Sequence, residues 1–470
     1  MDSRKYCGFL RKIFVGRGFF VRGEHIIKRY NTNKGARTMT IHTVRSGDSI
    51  YSIAREYGTS PTRIIQDNLI ENPSRLVVGE DIVILSPTET YTVRGGDTLT
   101  SIAERFGTSV GALYRNNPIL GGKPNVYPGQ MLNISYETPP LGEIASNGYA
   151  YTTIDRDVLR RTLPYLTYLS VFSYGIDGQG ELIPPGNNED EIIALAREYG
   201  TVPLLVLTSL GENGKFSPAT VERVLSDPTA ARAVADSVVR NVTGKGYGGL
   251  DVDFEYVPSE YAEAYADFLV LLEEALGGDY PVFVSLAPKI SADQPGLLYE
   301  GHSYPLLGDA ADRSLLMTYE WGYTYGPPLP VSPLGAVRRV VDYAVEEIAP
   351  EKLFLGVPNY GYDWALPYVR GESKAQSLGN VAAVDLALRR KAEIKYDEAA
   401  ASPFFTYYDR PETYSDAVEH VVWFENARSV DAMLRLVNEY GMYGAGVWNL
   451  TRYFPSLWNV MNALYTIKKL

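Results

Sequence analysis

The run Gly248-Gly249-Leu250-Asp251-Val252-Asp253-Phe254-Glu255-Tyr256 sets three acids at alternate positions. In a strand alternate side chains share a face, so Asp251, Asp253 and Glu255 point one way while Leu250, Val252 and Phe254 point the other. If the strand belongs to a barrel, the apolar set packs outward on helices and the carboxyls are driven inward. Three like charges that close cannot all ionise, so at least one has its pKa raised and keeps a proton near neutrality, which makes a carboxylic general acid. Glu255 comes last, at the C-terminal end of its strand, where barrel active sites open. A bare Asp-x-Asp-x-Glu also suits an amphipathic edge strand with its acids in water. The surrounding elements must decide.

Other chemistries lack their residues. The lone cysteine, Cys7, excludes an intramolecular disulfide and a thiolate zinc site. His25, His42, His302 and His420 are scattered, with no i, i+4 pair, so neither a metal nor a cofactor is expected. With 44 Lys and Arg against 56 Asp and Glu, the net charge of -12 argues against nucleic acid as a partner. No run of eighteen apolar residues exists to span a membrane as a helix. The charge is uneven: residues 1–38 carry +8 and the remainder -20. Two readings of that leader stand, a basic arm for an acidic wall or membrane surface, or an extension ahead of a true start at Met39. The second is favoured because the first ordered pattern begins two residues after Met39. Gly16, Arg17 and Gly18 interrupt its apolar stretch, so no signal peptide is expected.

From Gly148 onward, eight apolar runs alternate with helix-patterned stretches: Gly148 to Tyr151, Tyr168 to Tyr174, Val202 to Thr208, Gly249 to Phe254, Pro281 to Ala287, Ser314 to Tyr319, Lys352 to Val357 and Ala445 to Asn449. This predicts an α/β fold, a TIM (β/α)8 barrel over residues 145–470, with the acidic run as its fourth strand. A doubly wound sheet is the structural alternative, but no Gly-x-Gly-x-x-Gly or Walker loop supports it. The gap between the seventh and eighth runs is too long for one crossover helix. Ile394 to Tyr396, Phe404 to Tyr408 and Val421 to Phe424 read as extra strands of a small α+β insertion at about 362–425.

Ahead of the barrel the chain repeats itself. Thr43-Val44-Arg45-Ser46-Gly47-Asp48-Ser49 recurs 49 residues later as Thr92-Val93-Arg94-Gly95-Gly96-Asp97-Thr98, and Asn68 matches Asn117. Each copy reads as strand, Gly-Asp turn capping a helix, second helix and closing strand. These copies, at 40–86 and 90–136, resemble the LysM module, a βααβ unit. The resemblance implies binding of N-acetylglucosamine runs in peptidoglycan or chitin. It points to Gly47, Asp48 and Ser49 with Asn72 and Pro73, and to Gly96, Asp97 and Thr98 with Asn117, Pro118 and Ile119. The alternative is that Asp48 and Asp97 only cap helices in a spacer.

The acidic run in turn resembles the DGxDxDxE motif of glycoside hydrolase family 18. Met317-Thr318-Tyr319-Glu320 is similar to that family's MxYD, Gly356-Val357-Pro358-Asn359-Tyr360-Gly361 to its GxPxYG, and Gly446-Val447-Trp448 to its eighth-strand tryptophan. The resemblance implies substrate-assisted retaining hydrolysis. Glu255 would be the acid and then the base, and Asp253 would hold the acetamido group whose oxygen attacks the anomeric carbon. Asp251 would share charge beneath, with Tyr319, Trp448, Glu320 and Tyr360 binding substrate. The chain departs from the family twice, with Gly248 in place of the first acid and Glu320 in place of the last Asp of MxYD. Two LysM modules ahead of such a barrel resemble the spore cortex-lytic N-acetylglucosaminidases. That implies cleavage after N-acetylglucosamine in spore cortex glycan, a location in the coat or cortex, and no protein partner. The alternatives are a chitinase or chito-oligosaccharide hydrolase, and a chitinase-like lectin, which would have lost the terminal Glu.

Overall fold

A computed structural model describes residues 39–136, 141–211, 214–410 and 417–470; the basic leader at 1–38 lies outside the described residues. The first repeat folds as β1 (Met39–Thr43), α1 (Ile50–Glu56), α2 (Pro61–Asn68) and β2 (Asp81–Leu85). The second follows as β3 (Glu89–Thr92), α3 (Leu99–Phe106), α4 (Val110–Asn116) and β4 (Met131–Ser135), and in each copy the two strands pair antiparallel. Each encloses its own small core, Ile50, Ile53, Ile64, Ile82 and Ile84 in one and Leu99, Ile102, Leu113, Leu132 and Ile134 in the other.

One expectation about the turns is corrected. The helix caps are Ser49 and Thr98, each in a reciprocal capping box with the serine three residues on. Asp48 and Asp97 stand one residue too early to reach the helix amides. They fold back instead, accepting from the amides of Arg45 and Arg94 at 2.7 Å each, and so close the turn from behind.

Both modules are docked on the large domain. Arg428 reaches the buried Asp81 at 3.1 Å, and Asn459 Nδ2 donates to the Asp67 carbonyl at 2.7 Å. At Gly79 an added Cβ would come within 1.8 Å of the Ile394 carbonyl, and at Gly122 within 2.2 Å of the Arg160 carbonyl. Both glycines have positive φ, so a side chain there is excluded by conformation and by space together. A cleft of about 790 Å³ lies beside the first module, with Ile70, Val77, Phe424 and Phe454 among its walls.

The large domain is a closed barrel of eight parallel strands: β5 (Glu143–Tyr151), β6 (Tyr168–Ile176), β8 (Val202–Thr208), β9 (Leu250–Asp253), β10 (Val282–Leu286), β11 (Arg313–Leu316), β12 (Leu353–Pro358) and β18 (Gly444–Trp448). Pairing of β18 with β5 closes the ring, and β7 (Leu182–Ile183) is a short antiparallel ribbon on β6. Helices α5 (Arg156–Thr162), α6 (Glu189–Glu198), α7 (Pro218–Ser226), α8 (Pro228–Lys245), α9 (Ala262–Leu276), α10 (Tyr304–Ala310) and α11 (Leu334–Glu347) alternate with the strands. Alternation sorts the side chains into two cores. Leu250, Val252 and Phe254 join the outer layer beneath the helices, while Tyr168, Leu204, Val206, Phe283, Leu315 and Phe354 fill the barrel.

After β12 the chain leaves the barrel to form β13 (Gly361–Ala365), β14 (Gln376–Leu378), α12 (Asn380–Arg390), β15 (Lys395–Asp397), β16 (Ser402–Tyr408) and β17 (Glu419–Trp423). These strands make one antiparallel sheet in the order β14-β13-β17-β16-β15. The chain returns through α13 (Ala427–Glu439) to β18, then ends with α14 (Pro455–Leu464) and β19 (Thr466–Ile467). No helix among the described residues is long and apolar enough to cross a membrane.

Candidate active site

The barrel interior changes character along β9. Below lies the aromatic and aliphatic plug; above it Asp251, Asp253 and Glu255 follow one another toward the C-terminal mouth, all on the inner face as their alternation requires. Asp251 has no exposed surface. Its Oδ2 accepts from Tyr149 at 2.7 Å and Ser170 at 2.8 Å, and Asn147 in turn donates to the Ser170 hydroxyl at 2.9 Å. Burial pushes its pKa up to about 6, and those donors hold it from rising further.

Asp253 is buried too. Desolvation, then the charges of Glu255 and Asp251, raise its pKa well above the ordinary range. Glu255 lies two residues past the strand end and is partly exposed; burial first, and the Glu320 charge second, lift it to about 7. The three carboxyls thus hold fewer than three negative charges near neutrality, and the outermost can carry a proton there, as a general acid must.

At Gly248, where the motif has its first acid, an added Cβ would lie 2.5 Å from Val202 Cγ1, so a side chain there would need Val202 to shift. Asp251 is supported instead by hydroxyls and an amide from β5 and β6.

Tyr319 follows β11 and packs with the cluster of Tyr360, Tyr362 and Trp364. A Cβ at Gly356 would approach its ring to 2.9 Å and the Leu316 carbonyl to 2.4 Å, so glycine lets β12 come close. Glu320, at φ +68°, turns its carboxylate to accept from Tyr360 at 2.6 Å and Tyr362 at 2.8 Å. By surface area the residue is exposed, yet its carboxyl faces these phenols, and desolvation still raises its pKa against their bonds. The insertion therefore shapes the site: its first strand supplies Tyr362. Tyr360 is a buried support for Glu320 as well. Trp448 is partly exposed, with Tyr149, Tyr151 and Phe172 packed against its ring at centroid distances of 5.7, 6.0 and 4.9 Å. The peptides Trp448–Asn449 and Phe172–Ser173 are both cis.

Tyr149, Ser170, Asn147 and Tyr362 escape the motif reading. The signal for the first three was the inward register of β5 and β6. Among the described residues no cluster of His, Cys, Asp and Glu is arranged to hold a metal.

In the first repeat a hollow of about 220 Å³ is lined by Gly47, Asp48 and Ser49 with Pro73, Ser74, Leu76 and Val78. Asn72 is not among its walls; it accepts from Ser74 at 2.6 Å and shapes the loop. In the second repeat Gly96, Asp97 and Thr98 hold the equivalent turn, but the partner loop was misplaced. Asn117 is buried, donating to the Leu113 and Asn133 carbonyls and accepting from the Asn133 amide, so its amide is part of the framework. Asn68 does the same work in the first copy. Pro118 is buried beside it, and Ile119 is exposed on the cleft beside the first module.

This geometry meets the comparisons with known proteins. Residues 162–452 match glycosyl hydrolases family 18, and residues 42–85 and 91–135 match the LysM domain. The chain belongs to glycosyl hydrolases family 18 and is a glycoside hydrolase carrying two LysM domains. It is 36% identical over 439 residues to the "Cortical fragment-lytic enzyme" of Bacillus subtilis (strain 168), covering 92% of this chain and 99% of that one. Its fold superposes on the crystal structure of the Bacillus cereus spore cortex-lytic enzyme SleL with a TM-score of 0.77 and 34% identity, covering 92% of this chain and 99% of that chain. A chitinase from Chromobacterium violaceum is similar over 68% of this chain and 98% of its own length, with 26% identity and a TM-score of 0.62.

Proposed function

We propose that this protein is a peptidoglycan hydrolase of the bacterial spore that cleaves cortex glycan after N-acetylglucosamine, held on the polymer by its LysM domains. The observation that carries the reading is the graded acid column: Asp251 held as an acceptor, Asp253 buried and pushed up, and Glu255 near 7 at the mouth. Glu255 donates its proton to the glycosidic oxygen as the bond to the anomeric carbon breaks. The substrate's own acetamido oxygen attacks that carbon to give an oxazolinium, with Asp253 accepting from the acetamido N–H. Glu255, now a carboxylate, takes a proton from the incoming water, which opens the ring with net retention. Trp448 offers an aromatic floor for the sugar's C–H face. Two relatives named for cortex lysis match across both LysM domains and the barrel, whereas the chitinase matches over a smaller share of the chain.

The test incubates wild type and Glu255→Gln with intact cortex peptidoglycan, fragmented cortex and chitin oligomers, and identifies new reducing ends by mass spectrometry. Wild type should release N-acetylglucosamine reducing ends from cortex material, and the variant should be slower by about 10²- to 10⁴-fold. Cleavage of chitin alone would make the protein a chitinase. Reducing-end muramic acid would contradict the assigned bond, and release from none of the three would leave a glycan-binding lectin.

A further inference from the structure

We infer that His302 is a positioning residue for Glu255: its Nε2–H donates to the Phe254 carbonyl and so fixes the backbone from which the acid projects. The inference rests on Glu255 being the acid. Among the described residues no hydrogen bond steadies the Glu255 carboxyl, whose surroundings are desolvation and the Glu320 charge. Its aim is therefore set by the main chain, and the peptide immediately before it is Phe254–Glu255.

His302 is fully buried and spans two strand ends. Its Nδ1 accepts from the Ala287 amide, just past β10, at 3.1 Å, which leaves the proton on Nε2; that proton goes to the Phe254 carbonyl, just past β9, also at 3.1 Å. Burial lowers its pKa to about 4, so the imidazole is neutral at neutral pH, and the Ala287 amide at Nδ1 holds the proton on Nε2.

The ring is itself fixed. Lys289, 2% exposed, donates through Nζ to the His302 carbonyl at 3.0 Å. The Tyr304 hydroxyl donates to the Ala287 carbonyl at 2.7 Å and accepts from the Lys289 amide at 3.0 Å. Tyr265 lies edge-on to the imidazole at 6.0 Å and stacks on Phe254 at 5.6 Å. A Cβ at Gly301 would fall 2.3 Å from the Val257 carbonyl, so this segment presses directly on the turn that carries Glu255. That turn includes Tyr256 at φ +59°, a conformation that persists only when its surroundings impose it.

The charged and titratable neighbours are few. Lys289, itself influenced by Asp293 and Glu300, faces His302 with Tyr265 and Tyr304. Asp253, Tyr256, Tyr319 and Glu320 face Glu255.

The experiment measures kcat, KM and the pH profile on a soluble cortex fragment for wild type, His302→Leu, His302→Gln and Lys289→Met, with Glu255→Gln alongside. His302→Leu should lower kcat at least about tenfold with KM within twofold, because a misaimed acid costs the chemical step and not binding. Its basic limb should move to lower pH as Glu255 relaxes toward water. His302→Gln, which keeps a donor for the Phe254 carbonyl, should recover much of kcat and return the limb. Lys289→Met should shift the limb in the same direction by less, and decides the matter if His302→Leu does not fold. An unmoved limb in these variants, with kcat unchanged or falling only in proportion to the folded fraction, would show that His302 merely packs. An active Glu255→Gln would overturn the acid assignment itself, whatever the His302 variants do.

Discussion

The Tyr149 hydroxyl and the Asp251 carboxylate, on strands separated by two others around the barrel, meet at 2.7 Å in its interior. The bond explains how an acid without exposed surface sits at about 6 and no higher, and why the family's first acid can be absent. A hydroxyl can only donate to the ionised form here, so it favours a carboxylate beneath Asp253.

Removing that donor should slow the reaction. A hydrogen bond to a charged group is worth about 1.5–3 kcal/mol, so Tyr149→Phe is expected to cost roughly ten- to a hundredfold in kcat, with Asp251 driven further toward its protonated form. Reducing-end release from a soluble cortex fragment measures it. A rate within twofold of wild type would show that Ser170 suffices.

The pH profile should lose activity as pH rises through about 7, because the general acid must carry its proton and Glu255 titrates there. Burial lifts it first, and the Glu320 charge adds to the rise. Glu320→Gln removes this repulsion, lowers the Glu255 pKa and should move the basic limb to lower pH. A limb that stays in place would mean that burial alone sets the value.

Glycan binding should separate from catalysis. Asp48 and Asp97 are held below the ordinary carboxylate range, the first chiefly by the Arg45 amide and the second chiefly by the Tyr91 hydroxyl, so both stay ionised and keep their turns closed. A double change of both to Ala is expected to weaken sedimentation with insoluble cortex severalfold while leaving the rate on soluble fragments unchanged. Full sedimentation would remove these turns from the binding surface.

Stability carries its own pH signal. Burial raises Glu425 to about 8 and Glu80 to about 7, both above the unfolded value near 4.5. Through that window the folded state binds more protons at these two acids than the unfolded chain, so their contribution to stability is fully present below about pH 4.5 and is lost as pH rises toward 8. Urea midpoints should fall accordingly, the unfolding free energy dropping by on the order of 1–3 kcal/mol, and Glu425→Gln should flatten the slope. A midpoint rising with pH would show that these acids ionise without penalty.

Much of this molecule was legible because periodicity and motif agreed. Val202–Thr208 is a strand with the bounds its apolar run suggests, and the alternation of Leu250 to Glu255 sends three acids inward. Glu143 to Asn147, the first half of β5, escapes the apolar pattern because Glu143, Ser146 and Asn147 are polar; Asn147 faces Ser170 inside the barrel while the Ser146 hydroxyl bonds the Tyr165 carbonyl. Residue type does not fix exposure: Tyr174 and Trp364, aromatics near strand ends, are fully buried, Tyr174 bonded to Glu189 and Trp364 Nε1 donating to the Gly326 carbonyl at 3.0 Å. Asn117 was misread because the loop after it, with Gly121 and Gly122, is one residue longer than its counterpart. Tyr323 and Tyr325, by contrast, are exposed.

The glycines at 79 and 122 have a consequence for the polymer. With each module's backbone pressed against the large domain, a strand gripped at the Gly47 to Ser49 turn meets the barrel at one angle and one distance. A polymer held at that turn would then have the number of sugars between the held residue and the cut bond set by the protein, and long chains should yield fragments of preferred length.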